Sequence, residues 1–123
     1  MKPYEIFTAA GKEYKAKITA LSAVESEEKL NCGIIDALNR ISQLRYLADF
    51  YFAALKPLNP EIKTKNDVLT LIDDYMSGGG TLEELQDTLM EILHTSGLIN
   101  QEAIDVTKKF KEKQKESLKE SLK

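Results

Sequence analysis

Tyr4-Glu5-Ile6-Phe7-Thr8-Ala9-Ala10-Gly11-Lys12-Glu13-Tyr14-Lys15-Ala16-Lys17-Ile18 is the only stretch of this chain in which apolar and polar side chains alternate with period two. The alternation predicts two strands. Tyr4, Ile6 and Thr8 share one face of the first, and Tyr14, Ala16, Ile18 and Ala20 one face of the second, with Glu5, Glu13, Lys15, Lys17 and Thr19 turned to water. Ala9-Ala10-Gly11-Lys12 lies between them. Gly11 supplies the positive φ of a tight reversal, so residues 1–20 should close as an antiparallel hairpin. A two-stranded hairpin is marginal in water and needs a surface to lie on.

The remainder reads as helix. Ser22-Ala23-Val24-Glu25 has capping-box spacing and predicts a short helix ending near Asn31, a residue that tolerates the left-handed conformation of a helix exit. After Cys32-Gly33, Ile34, Ile35, Leu38 and Ile41 recur at helical spacing. From Ser42 to Leu55 two stripes run side by side: Leu44, Leu47, Ala48, Tyr51 and Leu55 in one, Tyr46, Phe50 and Ala54 in the other. A helix apolar on both sides is central, or is covered by another chain.

Pro57 and Pro60 end that helix, and Thr64-Lys65-Asn66-Asp67 caps the next, whose apolar face is Val68, Leu69, Ile72, Tyr75 and Met76. Gly78-Gly79-Gly80 stops it. Thr81-Leu82-Glu83-Glu84 opens a further helix with Leu82, Leu85, Leu89, Ile92 and Leu93 on one stripe, and Gly97 is placed to end it, with Leu98 or Ile99 folding back. The expected fold is therefore mainly α, an α+β domain spanning 1–107 in which the hairpin sits on about five helices. Leu44, Tyr51, Ile72 and Leu89 are its expected core.

Composition narrows the function classes. At 123 residues the chain suits one domain. Its single cysteine, Cys32, forbids an internal disulfide, and without a charged-then-apolar leader the expectation is a reducing cytoplasm. No apolar run is long enough to span a bilayer, so no membrane is expected as a partner. The net charge of −3 hides an asymmetry: residues 108–123 hold seven lysines against three glutamates, +4, which leaves −7 for residues 1–107. Lys108, Lys109, Lys111, Lys113 and Lys115 invite a nucleic-acid reading. Against it stand the acidic body, the lack of a glycine-rich phosphate loop, and Phe110 as the only aromatic in the tail. A frayed helix or disordered terminus is the better expectation, with Phe110, Leu118 and Leu122 forming a thin line for docking on a neighbouring subunit.

No catalytic constellation emerges. His94 is the only histidine, and no serine or cysteine stands in a nucleophile elbow. Glu91 and His94 have the spacing of half a di-iron ligand set, but the other carboxylates and the second motif are missing from the chain. No enzyme activity, cofactor or metal is expected.

Several of these pieces also resemble a known family. Lys2-Pro3-Tyr4-Glu5-Ile6, Gly11-Lys12-Glu13-Tyr14-Lys15, and Val24-Glu25 followed by Glu28-Lys29-Leu30 are similar to the tail assembly chaperones of tailed bacteriophages and prophages of Gram-positive hosts. So are Leu55-Lys56-Pro57-Leu58-Asn59-Pro60-Glu61-Ile62 and the run from Asp73-Asp74-Tyr75 through Gly79-Gly80-Thr81 to Ser96-Gly97-Leu98-Ile99. The resemblance covers residues 2–99 in order; Asn31-Cys32-Gly33 and the lysine-rich tail depart from it. It implies a non-enzymatic protein that coats the helical tape measure protein and brings tail tube subunits to it. An unassembled tape measure exposes apolar helix faces that aggregate unless covered. Phe7, taken as the hairpin's outer aromatic, Tyr46 and Phe50 on the second stripe, and Phe110 in the tail are the candidate partner-binding residues. Two stripes and an uncovered strand edge further predict a homo-oligomer. The other reading of the same residues is a small helical adaptor or regulatory module.

Overall fold

The computed structural model describes residues 2–106 and residue 109. Its order is β1 (Glu5–Ala9), β2 (Lys12–Ala16), α1 (Ala20–Leu30), α2 (Ile34–Leu38), α3 (Leu44–Leu55), α4 (Lys65–Ser77) and α5 (Leu82–Thr95), with a further helical segment, α6, at 101–106. The protein is an α+β bundle with an N-terminal hairpin. Phe110 and all of the lysine-rich tail except Lys109 lie outside the described residues.

The hairpin forms as the alternation predicts, but its buried face is the other one on β1. Pairing runs Glu5↔Ala16, Ile6↔Lys15, Phe7↔Tyr14, Thr8↔Glu13 and Ala9↔Lys12 around a two-residue turn in which Ala10 (φ 53°) and Gly11 (φ 75°) both take positive φ. Partners across an antiparallel pair share a face. A turn of that length sets an even-numbered residue opposite an odd one, so Tyr14 and Ala16 carry Phe7 and Glu5 inward rather than Ile6 and Tyr4. Phe7 and Ala9 are buried and Ile6 is exposed, which corrects the expectation of an outward Phe7. Phe7 lies 5.2 Å from the Tyr51 ring and 5.5 Å from the Tyr75 ring, joining the hairpin to α3 and α4.

Helix α3 is the axis of the fold. Every residue from Tyr46 to Leu55 is buried, the charged Asp49 included, because α1, α4, α5 and β2 all pack on it. Its two stripes are thus covered within one chain, and Phe50, fully buried, belongs to the core rather than to a binding surface. Tyr51, Ile72 and Leu89 are buried as expected; Leu44, at the first turn of α3, is 40% exposed. The Tyr51 hydroxyl donates to the Leu85 carbonyl at 2.6 Å, tying α3 to α5.

Capping explains most helix boundaries. Thr64 and Asp67 form a reciprocal box at α4, and Thr81 accepts from the Glu84 N–H at α5. The Glu84 carboxylate does not close that second box; it accepts from the Tyr75 hydroxyl at 3.1 Å. At α1 the expected box is displaced by three residues. Thr19 is the N-cap and Ser22 its reciprocal partner, so Ala20 opens the helix instead of ending a strand. Asn31 (φ 55°) closes α1, and Gly97 (φ 84°) closes α5 with Leu98 N–H returning to the Leu93 carbonyl at 2.9 Å. Gly80 is demanded by packing: a Cβ there would clash with the edge of the Tyr75 ring.

Candidate functional site

Helix α1 is amphipathic with its faces exchanged. It buries Ser22, Ala23 and Ser26 against α3, while Leu21 (69% exposed) and Val24 (49% exposed) face water with Glu28 on the same stripe. Small residues on the inner side let two helices approach closely, which is what seats Ser22 and Ser26 beside Phe52 and Ala53. The arrangement has a cost: Ser26 Oγ is buried with no hydrogen-bond partner among the described residues. Large apolar side chains scattered on a surface are ordinary, but a helix that buries serines and exposes a leucine and a valine on one stripe reverses the usual amphipathic arrangement.

Beside this stripe runs the seam between α1 and α3, whose wall holds two lysines, Lys29 and Lys56, and two carboxylates, Glu25 and Asp49. Lys29 Nζ lies 4.2 Å from the centre of the Phe52 ring and Lys56 Nζ 5.4 Å from it, with Lys56 also paired to Glu25 at 3.4 Å. Further along, Lys29, Leu30, Arg45, Tyr46, Asp49 and Lys65 line an open concavity of about 420 Å³. Asp49 is held by Lys65 at 3.1 Å, a pairing that lets a carboxylate remain on the buried central helix.

Tyr46 is the hub of this concavity. Its hydroxyl accepts from Arg40 Nη1 at 3.0 Å and Arg45 Nη2 at 3.3 Å, and the two guanidinium groups stand 5.6 Å and 4.9 Å from its ring centre. Hydrogen bonding from Arg40, helped by Arg45, draws the phenol below its usual range against the opposing effect of burial, and raises Arg40 in turn. Asp36 adds its field at Arg40. The concavity thus sets Lys29, Arg45 and Lys65 against the single carboxylate of Asp49, with Arg40 joined to it through the Tyr46 hydroxyl. Each guanidinium retains further donors for a carboxylate.

A second open concavity, also about 420 Å³, lies between the hairpin turn and Gly78-Gly79-Gly80, with Asp74, Tyr75 and Glu84 in its wall. Burial and the neighbouring Glu84 raise the Tyr75 phenol.

Of the candidate partner-binding residues, Phe7 and Phe50 are core and unavailable to a partner, and Phe110 lies outside the described residues. Tyr46 is buried, 6% exposed, and lines the concavity. The structure exposes other residues instead: Leu21 and Val24 on α1, and the cations around Tyr46. Small Ser22, Ala23 and Ser26 on one side of a helix are the signal in the sequence that marks α1's inner face. His94 and Glu91 are half-buried on α5, and among the described residues no group of three or more His, Cys, Asp or Glu is placed to hold a metal ion. No helix among them is long and apolar enough to cross a membrane. Compared with protein-family models, with curated proteins and with solved structures, the chain matches none.

Proposed function

We propose that this protein is a tail assembly chaperone of a tailed phage or prophage, which covers the tape measure protein and helps bring tail tube subunits to it in the host cytoplasm. It acts without catalysis and as a homo-oligomer. The observation that carries the reading is the exchanged face of α1: Leu21 and Val24 point outward on the helix whose Lys29 lines the cationic concavity with Arg45 and Lys65. An amphipathic helix of the tape measure protein would lay its apolar side on these two residues and its acidic flank toward Lys29 and Arg45. The ordered resemblance over residues 2–99 supports the choice of partner class.

Co-expression tests it. The intact chain should hold the neighbouring tape measure protein in the soluble fraction, and a Leu21→Gln, Val24→Gln double variant should lose that ability while unfolding at the parent's temperature. Both side chains are exposed, so their replacement leaves the core intact. If the double variant keeps the tape measure protein soluble as well as the parent does, α1 is not the binding surface; if the parent fails too, the chaperone reading falls.

A further inference from the structure

The two edges of the hairpin are treated differently. On β2, Lys15 N–H donates to Asn59 Oδ1 at 3.2 Å, Asn59 Nδ2 donates to the Lys15 carbonyl at 2.7 Å, and Lys17 N–H donates to the Ala54 carbonyl at 2.9 Å. The last turn of α3 and the turn that follows it thus stand in for a third strand and close that edge. Lys15 directs its main-chain groups outward, so its partner Ile6 does the same on the other side, and by alternation so does Thr8. Among the described residues nothing donates to or accepts from the outward main-chain groups of Ile6 and Thr8, and both side chains are exposed, Ile6 by 46%. One edge is sealed and the other is left open with an isoleucine at its middle.

We infer that β1 pairs antiparallel with β1 of a second copy about a two-fold axis at Ile6, making one four-stranded sheet across two chains. The occupant follows from the strand's own pattern. With the axis at Ile6, the residue facing it is Ile6 of the partner subunit, Tyr4 faces Thr8 of the partner subunit, and Glu5 faces Phe7 of the partner subunit. No charge meets its like, and the outward groups of Tyr4, Ile6 and Thr8 exchange about six main-chain hydrogen bonds. Moving the axis to Thr8 would set Ile6 against Ala10, which the turn holds at φ 53°; moving it to Tyr4 would set Ile6 against Lys2 of the partner subunit, which lies outside β1. Ile6 is the one centre that uses the whole strand. The two exposed isoleucines cover each other on the face away from the Phe7 core.

This deepens the self-association within the function proposed above and does not depend on which partner is chaperoned, so it is tested on the purified chain alone. Sedimentation of the parent over a concentration series should show a dimer. Ile6→Glu should weaken association by about tenfold or more, since like charges then face each other across the axis, while Lys15 opposite it in the same hairpin keeps the fold intact. Ile6→Lys should be weakened likewise, and an equal mixture of the two variants should regain the dimer. In the parent, amide exchange at Ile6 and Thr8 should slow with concentration, whereas Lys15 and Lys17 should be protected throughout. A parent that stays monomeric to millimolar concentration, or single variants that dimerise as the parent does, would overturn the inference.

Discussion

Asn59 is where the structure makes its most exposed claim, because one side chain replaces a strand. Its amide makes three hydrogen bonds: to the Lys15 N–H (3.2 Å), to the Lys15 carbonyl (2.7 Å) and to the Leu55 carbonyl (2.7 Å). Asn59 is buried, so the groups left behind by Asn59→Ala are poorly placed to recruit water. Three bonds at roughly 0.5–1.5 kcal/mol each give about 1.5–4.5 kcal/mol. The Leu55 carbonyl keeps the Asn59 main-chain N–H at 3.2 Å, which moves the expectation to about 2–3 kcal/mol, or on the order of 10 °C in melting temperature.

Asn59→Asp should cost more at neutral pH, since it points a carboxylate at two carbonyl oxygens. Burial and those oxygens hold the introduced carboxyl above its unfolded value of about 4 in the folded state. Its sign follows: the stability relative to Asn59→Ala is fully present below that value and is lost as pH rises through the folded one. Urea denaturation followed by far-ultraviolet circular dichroism at several pH values measures both variants. An Asn59→Ala variant within about 0.5 kcal/mol of the parent would refute the strand-mimic reasoning, as would equal pH dependence of the two variants.

Two further outcomes are expected. Tyr51→Phe should cost about 1–2 kcal/mol by leaving the Leu85 carbonyl short of a donor, and because burial drives the Tyr51 phenol far upward, alkaline titration should release that phenolate only as the protein unfolds. The Asp67 carboxylate accepts from Lys63 and Thr64 N–H at 2.9 Å each and is held below its ordinary range, so its contribution is present above about pH 4 and lost as pH falls through the folded value; Asp67→Asn should abolish that pH-dependent difference in denaturation midpoints.

Local signals were legible wherever a single segment decides the outcome. Thr64 and Asp67, Asn31 and Gly97 mark helix ends by their own chemistry, and the two stripes of α3 announce a central helix. What failed was parity and phase. Reading Tyr4, Ile6 and Thr8 as inward follows from alternation alone, but which face turns in is set by the length of the turn at Ala10-Gly11, and this pairs Phe7 with Tyr14. The α1 cap slipped because Thr19 and Ser22 offer the same chemistry as Ser22 and Glu25, and only docking against α3 selects between them. The surface was legible least. Whether Phe50 is core or binding face depends on α1 and α4 both packing on α3, and the cationic concavity is assembled from residues as distant in sequence as Lys29 and Lys65. Exposed Leu21 and Val24 look like any apolar helix positions until the inward serines are seen.

The hairpin's tethers have a consequence for synthesis. Ile18 N–H donates to Ser96 Oγ at 2.9 Å, and Thr95 Oγ1 donates to the Glu5 carboxylate at 2.6 Å, so the first elements translated are secured by side chains at the end of α5. Loop closure over such separations comes late. Until the ribosome has released residue 96, the hairpin has β2's clamp at Asn59 and the Phe7 contacts with Tyr51 and Tyr75, but neither tether at Glu5 or Ile18, and the nascent chain must carry its ends untied through most of its elongation. Chains cut short before Thr95 should therefore lose order at both termini together, although the cut is made at only one of them.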